Sequence, residues 1–498
     1  MDLWRKGQIS EARRFFDQMA DKNVVSWNAM IAAYVQNSQI DEAIRLFKEM
    51  PKKDAVSWTT MINGYVRLGK LHEAKLLLDS MPYKNVGAQT AMISGYVQHR
   101  RMNEAHHIFN EIWNRDVVCW NTMIAGYANC GRMDEAFNLF SQMPHKNMVS
   151  WNTIIHGYAQ AGQMDKAVKL FNDIGEKNMV SWNTIVSGYS QNGLYVDALK
   201  YFSLMAQDGQ KPNQSTFASA LSSCANLAAL QAGEQIHQIV VKNGYTNDLS
   251  VSNSLLSMYA KCGRIFSAEL VFDEINSIDI ISWNSLIGGY ALNGYGEEAI
   301  ILFQKMVARG VAPDQVTFIG ILSACSHSGL VDKALELFRC MMEEFHVEPL
   351  PEHYACMVDV FGRAGRLEEA FELVREMKVK ANAAIWGALL SACHVRGDLA
   401  LGSLAAEKLS ELEPHKTSNY VILSNMQAEA GRWEEVESMR MLMKEQGVEK
   451  QPGCSWIDDK NQLHVFLSDM SQLPEIGYVL NSLSAQMKSC RMSLVDLE

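Results

Sequence analysis

Apolar and polar positions along this chain carry two interlocked periods. The short one is helical. Within residues 24–54, Trp27, Met30, Ile31 and Tyr34 fall at i, i+3, i+4 and i+7, which is one face of a helix. Ala43, Leu46, Phe47 and Met50 repeat that spacing in the second half, and the polar stretch Gln36-Asn37-Ser38 between them predicts a turn. Pro51, Pro82 and Pro144 follow such second helices and stop them. The long period is the segment itself. VVSWNAMIAAYVQNSQIDEAIRLFKEMPKKD at 24–54 recurs as AVSWTTMINGYVRLGKLHEAKLLLDSMPYKN at 55–85, then at 86–116, 117–147 and 148–178, each of 31 residues. Units of 35, 35, 31, 35, 36 and 32 residues follow at 179–213, 214–248, 249–279, 280–314, 315–350 and 351–382. Self-similarity at a fixed period predicts a solenoid, because neither helix of a unit buries its apolar stripe alone. The expected fold is all-α, with stacked helix-turn-helix repeats and the row of first helices lining a concave face.

Composition narrows what such a stack does. Lys plus Arg number 45 against 56 Asp plus Glu, a net charge of −11, which argues against a general polyanion binder. No run of 18 apolar residues exists, so no spanning helix is expected and no membrane role. The ten cysteines are scattered and form no CxxC pair, which argues for a reducing compartment and against a clustered zinc site. His346-Val347-Glu348 matches an HxE fragment, but no paired cysteines accompany it. His106-His107 lacks further ligands, and the glycine run from Gly288 lacks the Lys-Ser/Thr of a phosphate loop. No nucleophile–base set is found, so no enzyme, cofactor or metal is expected.

The SWNxxI…GY…G…EA…F..M pattern in these units resembles the pentatricopeptide repeat, an organellar RNA-binding family of land plants. The 31-, 35- and 36-residue alternation is similar to its PLS subclass, the branch associated with C-to-U RNA editing. The resemblance covers residues 1 to about 470. It implies a right-handed α-α superhelical solenoid in which one base is read by the fifth residue of a first helix together with the last residue of the unit. The fifth residues are Asn28, Thr59, Thr90, Asn121, Asn152, Asn183, Ala218, Asn253, Asn284, Ile319 and Ala355. The last residues are Asp54, Asn85, Asp116, Asn147, Asn178, Asn213, Asp248, Asp279, Asp314, Leu350 and Asn382. Short amides, hydroxyls and carboxylates hydrogen-bond a Watson–Crick edge without filling a groove, and a scaffold for protein partners has no need of this restriction. Asp only accepts, so Asn with Asp suits uracil. Asn with Asn suits either pyrimidine, and Thr moves the preference to purines. The implied reading from residue 24 is U-A-G-Y-Y-Y-N-U-U-N-N, open where Ala218, Ile319 and Ala355 offer no hydrogen bond. The family's second-position contact falls on Val25, Val56, Val118, Val149, Val180, Ile281 and Val316, which would sandwich bases; Gly87, Ser215, Ser250 and Glu352 depart from it. Arg67, Lys261 and Arg363, at thirteenth positions, are candidate phosphate contacts. The tryptophans Trp27, Trp58, Trp120, Trp151, Trp182 and Trp283 precede the reading positions by one residue and are read as core.

Beyond the repeats, 383–416 and 417–450 look like two further helix pairs similar to the extension (E) motifs of editing factors. Residues 451–490 resemble part of the next (E+) segment, with a short β-hairpin expected from Cys454 to Ile457 and Leu463 to Leu467 around a polar DDKNQ turn. The tail at 491–498 matches nothing. The resemblance implies a protein partner at 383–471: a DYW-type deaminase supplied in trans or one of the multiple organellar RNA editing factors. A deaminase in this chain is not expected, for lack of the HxE…PCxxC set. Residues 1–23 match only the latter part of a repeat, so a shortened start without a transit peptide is expected. The implied compartment is the mitochondrion, or alternatively the chloroplast. The rival readings are transcript stabilisation, splicing or translation, and a protein-binding helical scaffold.

Overall fold

A computed structural model describes residues 9–445, 454–459 and 462–467. It holds 27 α-helices among those residues. The chain divides into two compact units, Met1–Ile278 and Asp279–Glu498.

In the first unit a single helix, Ile9–Gln18, precedes eight helix pairs. The first helices Val24–Gln36, Ala55–Arg67, Val86–Gln98, Val117–Asn129 and Met148–Gln160 each have 13 residues. Their second helices are shorter, as in Met133–Gln142 and Met164–Asp173. In the 35-residue repeats the second helix lengthens to 13 residues, Tyr195–Gln207 and Leu230–Lys242, so part of the insertion is taken up as an extra turn of helix. The second unit continues with five pairs, from Ile280–Leu292 and Gly296–Ala308 to Thr417–Glu429 and Trp433–Glu445. Two strands follow, Cys454–Asp459 and Gln462–Leu467, paired antiparallel with Cys454 opposite Leu467 and Asp459 opposite Gln462. The strands take in Asp458, Asp459 and Gln462, which sequence assigned to the turn; Lys460 and Asn461 lie outside the described residues.

Two devices hold neighbouring repeats together. The first is close approach between first helices. A Cβ on Gly126 would stand 2.6 Å from Val97 Cγ2, and one on Gly157 would stand 2.7 Å from Ala128 Cβ. Only glycine permits that spacing. The second is an aromatic latch. Phe109, Phe140 and Phe171 on second helices meet Trp120, Trp151 and Trp182 of the next repeat edge-on, at 5.0, 5.0 and 4.9 Å. A cation closes the other side of each ring: Arg115 at 4.5 Å, Lys146 at 5.2 Å and Lys177 at 5.2 Å. Edge-to-face pairs and cation–π contacts each add of order 1 kcal/mol beyond burial. The tryptophans therefore spend their rings between repeats and are not offered to a ligand.

Candidate nucleic-acid interface

Every helix begins with unpaired backbone N–H groups, and before most first helices here the preceding residue supplies the acceptor. That residue is the last of the preceding repeat. Asp54 Oδ1 accepts from the Ser57 N–H at 2.9 Å, Asn147 Oδ1 from Ser150 at 2.9 Å and Asp314 Oδ1 from Thr317 at 2.8 Å. Asn85, Asp116, Asn178, Asn213 and Asp279 cap their helices in the same way. This corrects one step of the sequence argument. Helix capping alone selects Asn and Asp at the end of a repeat, so their prevalence there does not separate a base reader from a protein scaffold.

Capping also decides which side-chain atom is left unbonded. On Asp54 and Asp314 all the side-chain hydrogen bonds converge on Oδ1, leaving Oδ2 as an unspent acceptor among the described residues. On Asn147 and Asn178 the cap takes Oδ1 and leaves the Nδ2 donors. Burial pushes the Asp54 carboxyl up. The Ser57 N–H, the Asn28 amide and the Ser57 hydroxyl outweigh it and hold the group below its ordinary value. At Asp314 burial is again opposed, by the Thr317 N–H and hydroxyl and by Asn284, with the same net lowering. Both groups stay ionised acceptors at neutral pH.

The fifth residue of the same repeat reaches this cap. Asn28 Nδ2 donates to Asp54 Oδ1 at 3.0 Å, and Asn284 Nδ2 donates to Asp314 Oδ1 at 3.0 Å. The structure thus brings those two predicted pairs into direct contact. Asn121 and Asn147 share a shallow depression of about 370 Å³, walled by Val118 on one first helix and Val149 on the next. These valines are not core residues: Val118 is 62% exposed and Val149 58%. Val25, Val56, Val180, Ile281 and Val316 are likewise exposed at the starts of their helices. The fifth positions also carry an unusual deficit. Asn28 Oδ1, Asn121 Oδ1, Asn152 Oδ1 and Thr90 Oγ1 are all buried with no hydrogen-bond partner. Such orphans are rare in a settled fold, and these four fifth-position atoms make up most of those among the described residues, the others being Asn419 Nδ2 and Gln427 Oε1.

Other predicted residues are placed differently. Thr59 turns its hydroxyl back to the Ala55 carbonyl at 2.7 Å. Asn183 reaches Ser215 and Ser187 at 3.4 Å each, and no bond joins it to Asn213. Asn253 is buried. Among the candidate phosphate contacts, Arg67 is exposed with no ion-pair partner among the described residues. Lys261 Nζ donates to Asn226 Oδ1 at 3.1 Å. Arg363 is committed to Asp359 at 2.9 Å, which spends much of its charge. No group of three or more His, Cys, Asp or Glu is placed to hold a metal among the described residues. Sequence reasoning passed over the serine of SWN. Ser57, Ser150 and Ser181 are fully buried and donate to the cap oxygen at 2.8, 3.0 and 2.9 Å.

Models of the PPR repeat family match residues 22–54, 115–149, 146–179, 177–226 and 278–327, and models of the PPR repeat match 56–86, 90–117, 250–280, 316–344 and 348–378. The chain belongs to the pentatricopeptide repeat family. A model of the E motif matches residues 397–458 of this pentatricopeptide repeat protein. Among curated relatives from Arabidopsis thaliana, pentatricopeptide repeat-containing protein At2g13600 is 44% identical over 58% of this chain and 42% of its own length. DOT4, chloroplastic, is 42% identical over 55% of this chain and 32% of its own. At1g56690, mitochondrial, is 44% identical over 53% and 38%. The chain thus spans roughly a third to two fifths of these relatives' length. The crystal structure of the pentatricopeptide repeat protein PPR10 from maize superposes with a TM-score of 0.54 at 20% identity, covering 89% of this chain and 72% of that one. That likeness is one of fold.

Proposed function

We propose that this chain binds single-stranded RNA base by base, and that in a plant organelle it marks a transcript for C-to-U editing by a deaminase supplied in trans. The observation that carries the reading is the Asn121–Asn147 depression. A polar pair sits at its floor, one buried acceptor there lacks a partner, and two exposed valines stand where a flat base would slide between them. An unmet buried acceptor and an apolar slot are complementary to the polar edge and the faces of one nucleobase. At Asn28 with Asp54 and at Asn284 with Asp314 the fifth and last residues of a repeat are joined directly, which supports a reading of one base per repeat. The E motif at 397–458 favours editing over stabilisation or splicing and makes 383–471 the surface for the deaminase or an accessory editing factor. Relatives named mitochondrial and chloroplastic support an organelle, and we place the protein in the mitochondrion by preference.

The test is a binding titration of the whole chain at fixed physiological salt, with RNA carrying UAGYYYNUU against a shuffled probe. The expected result is a preference of tenfold or more for the ordered probe, with roughly 1–3 kcal/mol for each mismatch, borrowing the scale of DNA sites. Equal binding of both probes removes the reading and leaves a protein scaffold.

A further inference from the structure

We infer that the buried Thr317 hydroxyl, three residues into its first helix, is a positioning residue for base selection, acting on the Asn284–Asp314 pair of the repeat before it. The inference rests on the base-reading proposal above.

In the fully formed case, Thr317 Oγ1 lies 2.9 Å from Asp314 Oδ1 and 2.6 Å from Asn284 Oδ1, so one hydroxyl touches both reading side chains. The Asp314 N–H donates to the same oxygen at 3.1 Å, which keeps the hydroxyl from rotating away. With Thr317 in place, Asn284 holds its oxygen inward and its Nδ2 towards Asp314. The amide has one orientation, and the pair shows a single pattern of donors and acceptors. An amide freed from that contact is held only by its Nδ2–Asp314 bond, and its oxygen is left buried and unpaired, so one contact fixes its position where two did before.

The sequence carries the same coupling. Within the two units taken separately, Asn28, Asn121, Asn152, Asn183 and Asn284 are followed at this position by Ser57, Ser150, Ser181, Thr216 and Thr317. Where the fifth residue is not Asn, the hydroxyl is missing. Thr59, Thr90, Ala218, Ile319 and Ala355 are followed by Ala88, Cys119, Val251, His353 and Ile385. Capping does not account for this split, since Asn85, Asp116, Asp248 and Asn382 cap their helices without the hydroxyl. At Asn284 the hydroxyl reaches the fifth residue as well as the cap, whereas Ser57, Ser150 and Ser181 bond the cap and leave the oxygens of Asn28, Asn121 and Asn152 unpaired. Thr59 at the fifth position bonds its own helix at Ala55.

The experiment uses the whole chain and UAGYYYNUU RNA with each of the four bases at the last position, which faces Asn284 and Asp314. Thr317→Val keeps the shape and the backbone cap and removes the hydroxyl. Roughly tenfold selectivity at that base is expected to fall to about twofold or less, with affinity for the best of the four bases within about threefold of wild type, and Thr317→Ser is expected to restore the selectivity. Asn284→Ala is the control for base reading itself. If Asn284→Ala erases selectivity and Thr317→Val keeps it, the hydroxyl is structural only and the inference is overturned while base reading stands. If Thr317→Val weakens all four RNAs equally, it is overturned in the same way. If neither variant changes selectivity, base reading at this repeat fails and takes the inference with it. Thr317→Ala, compared with Asn284→Ala at the same base, repeats the comparison should Thr317→Val not fold.

Discussion

At Gly157 a single hydrogen atom separates two packed helices. Its place beside Ala128 leaves 2.7 Å for a Cβ, and Met133 stands 3.2 Å away on the other side. Alanine would gain about 1 kcal/mol in helix propensity. Against that, two Cβ atoms cannot rotate apart, so the helices themselves must separate, which costs of order 1–3 kcal/mol. The clash outweighs the propensity. Gly157→Ala is therefore expected to lower the denaturant midpoint despite being a glycine-to-alanine change within a helix. Gly288 is the internal contrast. A Cβ there meets nothing within 4 Å, so Gly288→Ala is expected to raise the midpoint, by up to about 1 kcal/mol in stability. If both alanines move the midpoint the same way, close approach is not what the repeat glycines are for. The repeat register already separates these two glycines, since Gly157 is the tenth residue of its unit and Gly288 the ninth of its own. Which neighbour faces each position is what no periodicity along one chain contains.

At the scale of the helix, the start matters more than the middle. Ten first helices open on a capping Asn or Asp in the first-to-last-repeat series from Asp54 to Asn382, and one does not. The exception, Pro351–Ala364, has Leu350 before it, which has no acceptor. His353 takes over. The Leu350 N–H donates to its Nδ1 at 2.9 Å, so the ring is neutral with its proton on Nε2, which donates to the Gln315 carbonyl at 2.9 Å. Burial pushes the pKa of His353 down, and the Gln315 carbonyl and Glu352 offset only part of that. The unfolded chain holds this imidazole near 6.5 and the folded chain holds it lower. Its stabilising effect is intact above pH 6.5 and is lost as pH falls from there towards the folded value. The midpoint of the wild type is therefore expected to fall more between pH 7 and pH 5.5 than that of His353→Gln. Equal slopes would show that the histidine is no cap. Helix pairing was legible because apolar stripes repeat every 31 to 36 residues. Capping was not, because the same Asn and Asp were already explained as base readers, and two causes acting on one residue leave a single mark in sequence. The SWN serine was overlooked for a related reason: its hydroxyl bonds the cap three residues before it, Ser57 on Asp54, and that cap had been read only as a base reader.

For the whole molecule, the proposed RNA binding raises the question of how an acidic protein would hold a polyanion. A net charge of −11 supplies no general attraction to phosphate. Of the three candidate cations, Arg363 already faces Asp359 at 2.9 Å, and Lys261 leans on Asn226 at 3.1 Å. Affinity must then come from bases held between exposed aliphatic side chains and from hydrogen bonds to polar pairs, both short-ranged and insensitive to ions. Counterion release gives a slope of about −0.7 per neutralised phosphate when the logarithm of affinity is plotted against that of salt for single strands. Two to three contacts correspond to a slope of about −1.4 to −2, far from the value of a binder that tracks every phosphate. A titration series from low to physiological salt is expected to give a slope in that range for the ordered RNA. Arg67→Ala should reduce it by about 0.7 and weaken ordered and shuffled probes alike, since a phosphate contact carries no sequence information. A slope steeper than about −4 would mean that basic groups outside these three dominate, and that the valine-lined slots position RNA that charge has already bound.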